Sequence, residues 1–130
     1  MRIPLRKLYI KVMPKTIFLK FWLPVYLYAG LIFIYSAQSS VAFAPEILYG
    51  DKLLHFVEYA ILGYLIARAA KNSSSLKMRA HFRIFAVSLA SLYGLSDEFH
   101  QYFVPGREVE ILDVLADAAG AVFGQMFLRA

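Results

Sequence analysis

The apolar residues of the chain fall into four long stretches, which are separated by short segments rich in polar and basic residues. The stretches cover residues 21–37, 53–67, 82–103 and 111–128. A helix rises about 1.5 Å per residue, so about 20 residues cross the hydrocarbon core of a bilayer. The first stretch is the most apolar, whereas the second and fourth are shorter and contain charges. The pattern predicts an all-α fold, a polytopic bundle of about four transmembrane helices.

The first stretch has the features of a membrane-spanning helix. Trp22 and Tyr26 stand near its first end, and such aromatic side chains favour the membrane interface. Pro24 is expected in the first turn, where a missing N–H costs little. The alternative is a signal peptide cleaved near residues 42–44. The stretch is long for a signal peptide and Pro45 directly follows the candidate site, so we expect an uncleaved helix.

The basic residues are distributed unevenly along the chain. Of the 14 Lys and Arg residues, all but Lys52 and Arg107 precede the first stretch, separate the second from the third, or end the chain. Cytoplasmic loops of membrane proteins carry an excess of Lys and Arg. We therefore expect an N-in/C-in topology with the 68–83 loop in the cytoplasm. Residues 1–20 form a basic cytoplasmic segment, and residues 21–130 form the membrane domain.

Composition agrees with a membrane protein and excludes several other classes. Apolar side chains make up 60% of the 130 residues, the mean hydropathy is +0.56, and cysteine is absent. The lack of cysteine rules out disulfides, thiolate catalysis and cysteine metal sites. The net charge of +5 does not indicate nucleic acid, because the basic residues flank apolar stretches and do not alternate with aromatics on a polar face. The expected partner is the lipid bilayer, with no nucleic acid.

Three of the stretches carry polar side chains near the end that is predicted to face outward. These residues are Asp51, His55 and Glu58 at the second stretch, Asp97, Glu98, His100 and Gln101 in the third, and Glu110, Asp113 and Asp117 at the fourth. Residues spaced by four or seven positions share one helix face. An acid at the centre of a membrane helix costs about 2.5 to 3.5 kcal/mol, so such groups usually face a protein interior. We expect one membrane-embedded polar site in the outer half of the bundle. The alternative, that these groups only lie in interfacial water or join helices by hydrogen bonds, stays open.

The residue types suggest roles within such a site. His55 or Glu58 is a candidate acid or base, and Asp97, Glu98 and Asp113 are candidate charge stabilisers. Arg107 is expected either to pair with one of these acids or to clamp a phosphate or carboxylate. A divalent metal held by the same acids and His55 is chemically reasonable, but no tight ligand spacing demands it. The sequence therefore predicts no metal site and names no cofactor.

Small residues and turn-forming residues indicate how the helices meet. Ala116, Gly120 and Gly124 repeat at four-residue spacing, a pattern typical of close helix packing in membranes. Asp51 is expected to cap the second helix. Two loops read as turns, a tight reversal at residues 104–107 and a solvated turn at residues 72–75.

Several of these residues stand in motifs of a known family. The motifs are DKxxHF from Asp51, DExxQ from Asp97 and PGRxxxxxD from Pro105 to Asp113, with Tyr59, Gly63 and Gly120 between and after them. In this combination, over about residues 37–124, the chain resembles the VanZ-like family, which is named after a glycopeptide-resistance gene cluster. The resemblance implies a multi-pass protein of the bacterial cytoplasmic membrane, associated in the founding case with low-level teicoplanin resistance. It implies no established reaction.

The resemblance also implies which residues belong to the site. The matching positions are Asp51, Lys52, His55, Asp97, Glu98, Gln101, Arg107 and Asp113. Of these, Asp51, Lys52, Gln101 and Arg107, together with Asp117, are candidates for substrate binding. Glu110 stands where many members have serine, and Asp117 stands where asparagine is common. Both departures add negative charge, which argues against a site tuned for an anion.

Three functions are compatible with the sequence. The first is an outward-facing site that binds or modifies a lipid or lipid-linked cell-envelope substrate, with an enzymatic reaction left undecided. The second is an accessory or scaffold protein that contacts other membrane proteins, in which the polar cluster only holds the helices together. The third is a small proton- or ion-coupled transporter, although the inner half of the bundle has few polar groups.

Overall fold

A computed structural model describes residues 13–39 and 47–129, and over these ranges the protein is all helical. The helices are α1 (Lys15–Ser36), α2 (Gly50–Lys71), α3 (Leu76–Ala80), α4 (Phe82–Gln101) and α5 (Ile111–Gly124), and a 3₁₀ turn (Gln125–Phe127) follows α5. The all-α prediction is confirmed. Most of the basic segment 1–20 and the candidate cleavage region 42–44 lie outside the described residues.

Two helices of the described ranges, α1 and α2, are long and apolar enough to cross a membrane by length and composition. Each contains 22 residues, which corresponds to about 33 Å at 1.5 Å per residue. α4 contains 20 residues but carries the acidic pair Asp97 and Glu98 near its end. The two apolar helices support membrane character.

α1 begins earlier than the sequence pattern predicts, at Lys15, and contains a π-helical segment, Phe18–Trp22. Pro24 lies in the first turn of the regular α-helical part, Leu23–Ser36, as expected, but this part continues an earlier helical segment and does not begin the helix. Pro24 has no N–H to donate to the carbonyl of Lys20, and its ring disfavours a regular helix at that point. The wider turn accommodates this, because the N–H of Leu23 bonds to the carbonyl of Phe18 instead.

α2 also extends beyond its predicted span, and its start differs from the prediction. The residue before the helix is Tyr49, whose φ of 61° lies in the left-handed region, and no side chain caps the first turn. The predicted cap by Asp51 is wrong: Asp51 lies inside the first turn and its carboxylate contacts Lys52. An acid in this turn still interacts favourably with the helix dipole.

The loop after α2 turns as predicted but is not wholly solvated. Ser73 is only 2% exposed, because the short helix α3, which the sequence pattern did not predict, follows it directly. The Ser75 side chain caps α3 by accepting a hydrogen bond from the N–H of Met78.

α5 packs most extensively against α2, and small residues allow the two backbones to meet. Gly120 faces the backbone of Phe56 and Ala60, and Gly124 faces Ala60 one turn further along. A Cβ at Gly63 of α2 would lie 2.6 Å from the Cα of Ala121. At these glycines no side chain fits between the two helices. The helices are therefore close enough for polar groups on neighbouring turns of α2 and α5 to be in direct contact.

α4 completes the bundle by bridging to both α1 and α5. The Tyr93 hydroxyl donates a 2.6 Å hydrogen bond to the carbonyl of Ala29 in α1. On the other side, Gly94 packs over Asp117 of α5, since a Cβ at Gly94 would lie 2.5 Å from Asp117 Oδ2. The apolar core lies further along α2, after its polar residues, around Tyr59 and Leu62.

The predicted reversal after α4 is confirmed at residues 104–107. The N–H of Arg107 donates to the carbonyl of Val104 at 3.2 Å, and Gly106 has a φ of 81°. Proline followed by glycine with positive φ is typical of a type II turn. The turn sends the chain back over the end of α4, so that Arg107 and the start of α5 lie beside α4's polar residues.

Candidate functional site

Lys52 lies at the centre of a carboxylate cluster where α2 and α5 begin. Its Nζ is 2.5 Å from Asp51 Oδ2, 2.6 Å from Glu110 Oε2 and 2.9 Å from Asp113 Oδ1. The side chain of Asp113 is 7% exposed, whereas those of Asp51 and Glu110 are 45% and 41% exposed. Lys52 therefore forms ion pairs with one buried acid and with two acids that reach water.

His55 lies one turn further along α2 and contacts two acids of α5. Its Nδ1 is 2.9 Å from Asp117 Oδ1, and its Nε2 is 3.8 Å from Asp113 Oδ2. Asp117 is fully buried, so this hydrogen bond is shielded from water. A histidine held at one ring nitrogen by a carboxylate has its ring orientation fixed. Nε2 is thereby directed towards Asp113.

The polar residues of α4 form a second chain of contacts. Gln101 Nε2 donates to Asp97 Oδ2 at 3.2 Å, and Arg107 Nε donates to Gln101 Oε1 at 3.3 Å. Arg107 forms no ion pair within 4.0 Å among the described residues, so the predicted direct pairing with Asp97, Glu98 or Asp113 is wrong. Gln101 instead separates the guanidinium from the acids.

Glu98 joins α4 to the beginning of α5. Its Oε2 accepts a hydrogen bond from the N–H of Glu110 at 3.2 Å, and its Oε1 is buried without a hydrogen-bond partner among the described residues. His100, by contrast, stacks on Phe33 of α1 with ring centroids 4.3 Å apart, and it does not line the site. Glu98 therefore connects α4 to the site at the start of α5, whereas His100 packs against α1.

A cavity of about 480 Å³ lies between the ends of the helices. Of the predicted site residues, Asp51, His55, Glu58, Asp97, Gln101, Arg107 and Asp113 line it. Lys52, Glu98 and Asp117 contact lining residues without lining the cavity themselves. The three predicted packing residues stay outside it: Gly120 and Gly124 lie on the α2 contact, and Ala116 is half-buried. The structure thus gathers the predicted polar residues of three helices around one space.

The cavity also has walls that the sequence pattern did not reveal. Ile32 and Ser36 of α1 and Leu54 of α2 line it, and the Ser36 side chain lies beside the carboxylate of Asp97. Ser36 is a hydroxyl residue at the end of an apolar stretch, one turn after Ile32, which is a weak signal that could have placed it on the same face. The apolar residues carry no sequence signal that separates a cavity wall from ordinary core.

Negative charge exceeds positive charge at the site. Six carboxyl side chains line the cavity: Asp51, Glu58, Asp97, Glu108, Glu110 and Asp113. The basic side chains that meet them are Lys52 and Arg107. Glu98 and Asp117 add two more buried acids behind the wall. Buried charges are strongly unfavourable unless they are paired, so this arrangement favours the binding of a cation.

Two groups of side chains have donor atoms close enough to hold one cation. The donor atoms of His55, Glu98 and Asp113 lie within 4.8 Å of one another, and so do those of Asp51, Glu110 and Asp113. The second group already surrounds the ammonium of Lys52. The first group contains no such internal cation.

Comparison with known proteins gives one match. Residues 9–130 match the family model described as VanZ/LLP1, which covers nearly the whole chain, including α1 to α5. Comparisons with curated proteins and with solved structures found no match.

Proposed function

The chain belongs to the VanZ/LLP1 family, and from that premise we propose that its cavity binds or modifies a lipid or lipid-linked substrate of the bacterial cell envelope. The main support is the cavity of about 480 Å³, which has charged groups on α2, α4 and α5 and the apolar side chains of Ile32 on α1 and Leu54 on α2. Ligand cavities typically measure about 300 to 1,000 Å³. The combination suits an amphiphile whose polar head enters between the helices while its chain stays against apolar side chains.

The proposed setting is a multi-pass protein of the cytoplasmic membrane, with both termini inside and the cavity in the outer half. The distribution of Lys and Arg supports this orientation. Lys52 and Arg107 are the two exceptions to it, and both have partners at the site: Lys52 in its ion pairs and Arg107 through Gln101. Their position on the outer side is therefore accounted for by the site and does not weaken the charge argument.

The orientation has a direct test. A reporter that is active only in the cytoplasm is expected to be active when it is fused after Ser74, because the basic cluster of residues 68–83 lies on the helices on both sides of this loop. The same reporter inserted near Pro105 is expected to be inactive, and a periplasmic or external reporter should show the reverse pattern. Cytoplasmic activity at both positions would contradict four crossings and would remove the outward-facing site.

The residues suggest how a bound substrate is handled. His55 is the proposed acid or base, because Asp117 holds its Nδ1 and leaves Nε2 on the cavity side. Arg107 is the proposed contact to an anionic head group, since its guanidinium makes no ion pair within 4.0 Å among the described residues. In this scheme a contribution to teicoplanin resistance follows from binding an envelope substrate.

Substitution of Arg107 tests the binding proposal. We expect Arg107→Gln to reduce co-purified lipid at least about tenfold, because a charge-assisted bidentate contact is lost. Lipids from the detergent-purified protein are to be quantified by mass spectrometry, beside protein abundance in membranes and teicoplanin susceptibility of the host. Ser96→Ala is the matched control, because Ser96 is exposed on α4 and bonds only to the carbonyl of Tyr93.

The scaffold function is the second candidate, because the same polar residues join α2, α4 and α5 through ion pairs and hydrogen bonds. Single substitutions of His55, Asp97, Arg107 and Asp113 separate the two candidates. Loss of membrane abundance in every variant, in step with any phenotype, supports a scaffold and contradicts a ligand site. Normal abundance with lost lipid or altered susceptibility supports the ligand site.

A further inference from the structure

The three residues His55, Glu98 and Asp113 form a donor set in which the charges are only partly paired: Asp113 meets Lys52 and His55, whereas Glu98 makes no ion pair within 4.0 Å among the described residues. They come from α2, α4 and the first turn of α5, and each is at most 6% exposed. Their donor atoms lie within 4.8 Å of one another. We propose that these three side chains bind a divalent transition-metal ion such as Zn²⁺ or Mn²⁺, with Asp117 as the residue that positions His55.

The three donor atoms lie within 4.8 Å of one another and must move closer together to hold such an ion, with the smallest movement for the pair His55 and Asp113. Bonds of 2.0–2.2 Å in a tetrahedral site place neighbouring donor atoms about 3.4 Å apart. His55 Nε2 and Asp113 Oδ2 are already 3.8 Å apart. A shift of a few tenths of an ångström in two side chains brings this pair to the required distance.

Glu98 gives independent support for a ligand at this position. The residue is 2% exposed, and its Oε2 is occupied by the N–H of Glu110. Its Oε1 is buried and has no hydrogen-bond partner in the described ranges. Such an atom loses its hydration without compensation, and an unmade buried interaction of this kind is unusual in a folded protein. A metal ion between Glu98 and its two neighbours supplies the missing partner.

The surroundings of His55 also have the form of a metal site. Histidines that bind metals usually donate the other ring N–H to a carboxylate, which fixes the tautomer and raises the basicity of the ligand nitrogen. Here Asp117 Oδ1 lies 2.9 Å from Nδ1 and is fully buried. The remaining nitrogen, Nε2, faces Asp113. In the metal-bound protein Nε2 is a ligand, so the acid or base role then belongs to Glu58, which also lines the cavity.

The donor set selects the kind of ion. An imidazole nitrogen with two carboxylates suits zinc or manganese, whereas calcium prefers six to eight oxygen ligands and magnesium keeps most of its water. Three protein ligands leave a fourth position open towards the substrate, as in catalytic zinc sites. The neighbouring group of Asp51, Glu110 and Asp113 is a poorer candidate, because the ammonium of Lys52 already lies among its oxygens.

The ion deepens the proposed function and rests on it in one respect. A divalent charge among these acids offsets part of the negative excess and gives an anionic head group a positive centre beside Arg107. The identification of that head group depends on the proposed lipid function. The metal site itself does not, because it is defined by protein side chains alone.

The test is metal binding by the whole chain, purified in detergent, stripped with EDTA and dialysed. Titration with Zn²⁺ and with Mn²⁺, and elemental analysis after gel filtration, should give one ion per chain for one or both metals. Glu98→Gln keeps the shape of the side chain and should weaken binding at least about 100-fold, and Asp117→Asn should weaken it by about 10- to 100-fold. Ser96→Ala, at an exposed position of the same helix as Glu98, should leave the affinity unchanged.

The outcomes separate this proposal from the previous one. No stoichiometric ion in the wild type, or equal weakening by Ser96→Ala and Glu98→Gln, overturns the metal site. In the Mn²⁺ form, nitrogen coupling in the electron spin resonance spectrum should vanish in His55→Gln; its persistence also overturns the site. Thermal unfolding of each variant in EDTA shows whether it is folded. Co-purified lipid is measured on the EDTA-stripped wild type. If this protein holds lipid but binds no ion in the titration, only this inference is contradicted. If it binds the ion but holds no lipid, only the proposed function is contradicted.

Discussion

Gly120→Ala is expected to lower the free energy of unfolding by about 3 kcal/mol, at the upper end of the usual cost of overpacking. A Cβ at this position would overlap the carbonyl oxygen of Phe56 and lie 3.0 Å from the backbone nitrogen of Ala60. Both obstacles are backbone atoms of α2, so no side chain can rotate away. α5 must move off α2, and the contact between His55 and Asp117, one turn from this point, must lengthen.

Thermal unfolding in detergent, followed by the loss of monodisperse protein, measures this effect. Gly30→Ala is the matched control, because a Cβ at Gly30 of α1 meets nothing within 4 Å. Alanine is the better helix former by about 1 kcal/mol, so the control should be neutral or slightly stabilising. Equal unfolding temperatures for the two variants would mean that α2 and α5 are not packed backbone to backbone.

The existence of the main helices could be predicted from the sequence, but their ends could not. A run of apolar residues reports the length of chain that avoids water, and α1 and α2 follow such runs. It does not report where hydrogen bonding stops. α1 begins at Lys15 and α2 ends at Lys71, because long basic side chains can continue a helix into the interface while their charges reach water. Pro24 marks the start of the regular α-helical part, Leu23–Ser36, but not the start of α1, since a π turn before it absorbs the missing donor.

The faces of the site could be predicted, but the partners within it could not. Helical spacing places Asp51, His55 and Glu58 on one side of α2, and all three line the cavity. Which acid meets which base depends on how α2 and α5 are offset along their axes, and glycine contacts between two helices set that offset. Spacing within one helix carries no information about it.

Two residues illustrate the missing information. Arg107 was expected either to pair with an acid or to clamp an anion, and the structure places Gln101 between it and Asp97. Lys52 entered only through the resemblance to a family, and the structure makes it the shared partner of three carboxylates. Both outcomes arise because the chain reverses after α4 and α5 starts close to that turn. The reversal places Arg107 beside Gln101, and it brings Glu110 and Asp113 to Lys52, from which they are far apart in sequence. The roles of these residues in binding stay predictions.

Lys52→Met is expected to destabilise the protein by about 3 kcal/mol, because removal of one partner of a buried ion pair leaves the other charge uncompensated. The side chain of Asp113 is 7% exposed and has its Oδ1 2.9 Å from the lysine Nζ. Asp51 and Glu110 contribute less, since water reaches 45% and 41% of their side chains. The measurement is the midpoint of thermal unfolding in detergent together with the amount of protein in membranes.

A double substitution decides whether the loss comes from the abandoned charge. Lys52→Met combined with Asp113→Asn removes both buried charges, so it should recover at least half of the stability that Lys52→Met loses, and the two substitutions should be strongly non-additive. Lys77→Met, at an exposed position on α3, controls for the loss of a positive charge and should be nearly neutral. If the losses of the two single variants simply add, Lys52 does not neutralise Asp113, and the carboxylates at the start of α5 must be balanced by another cation.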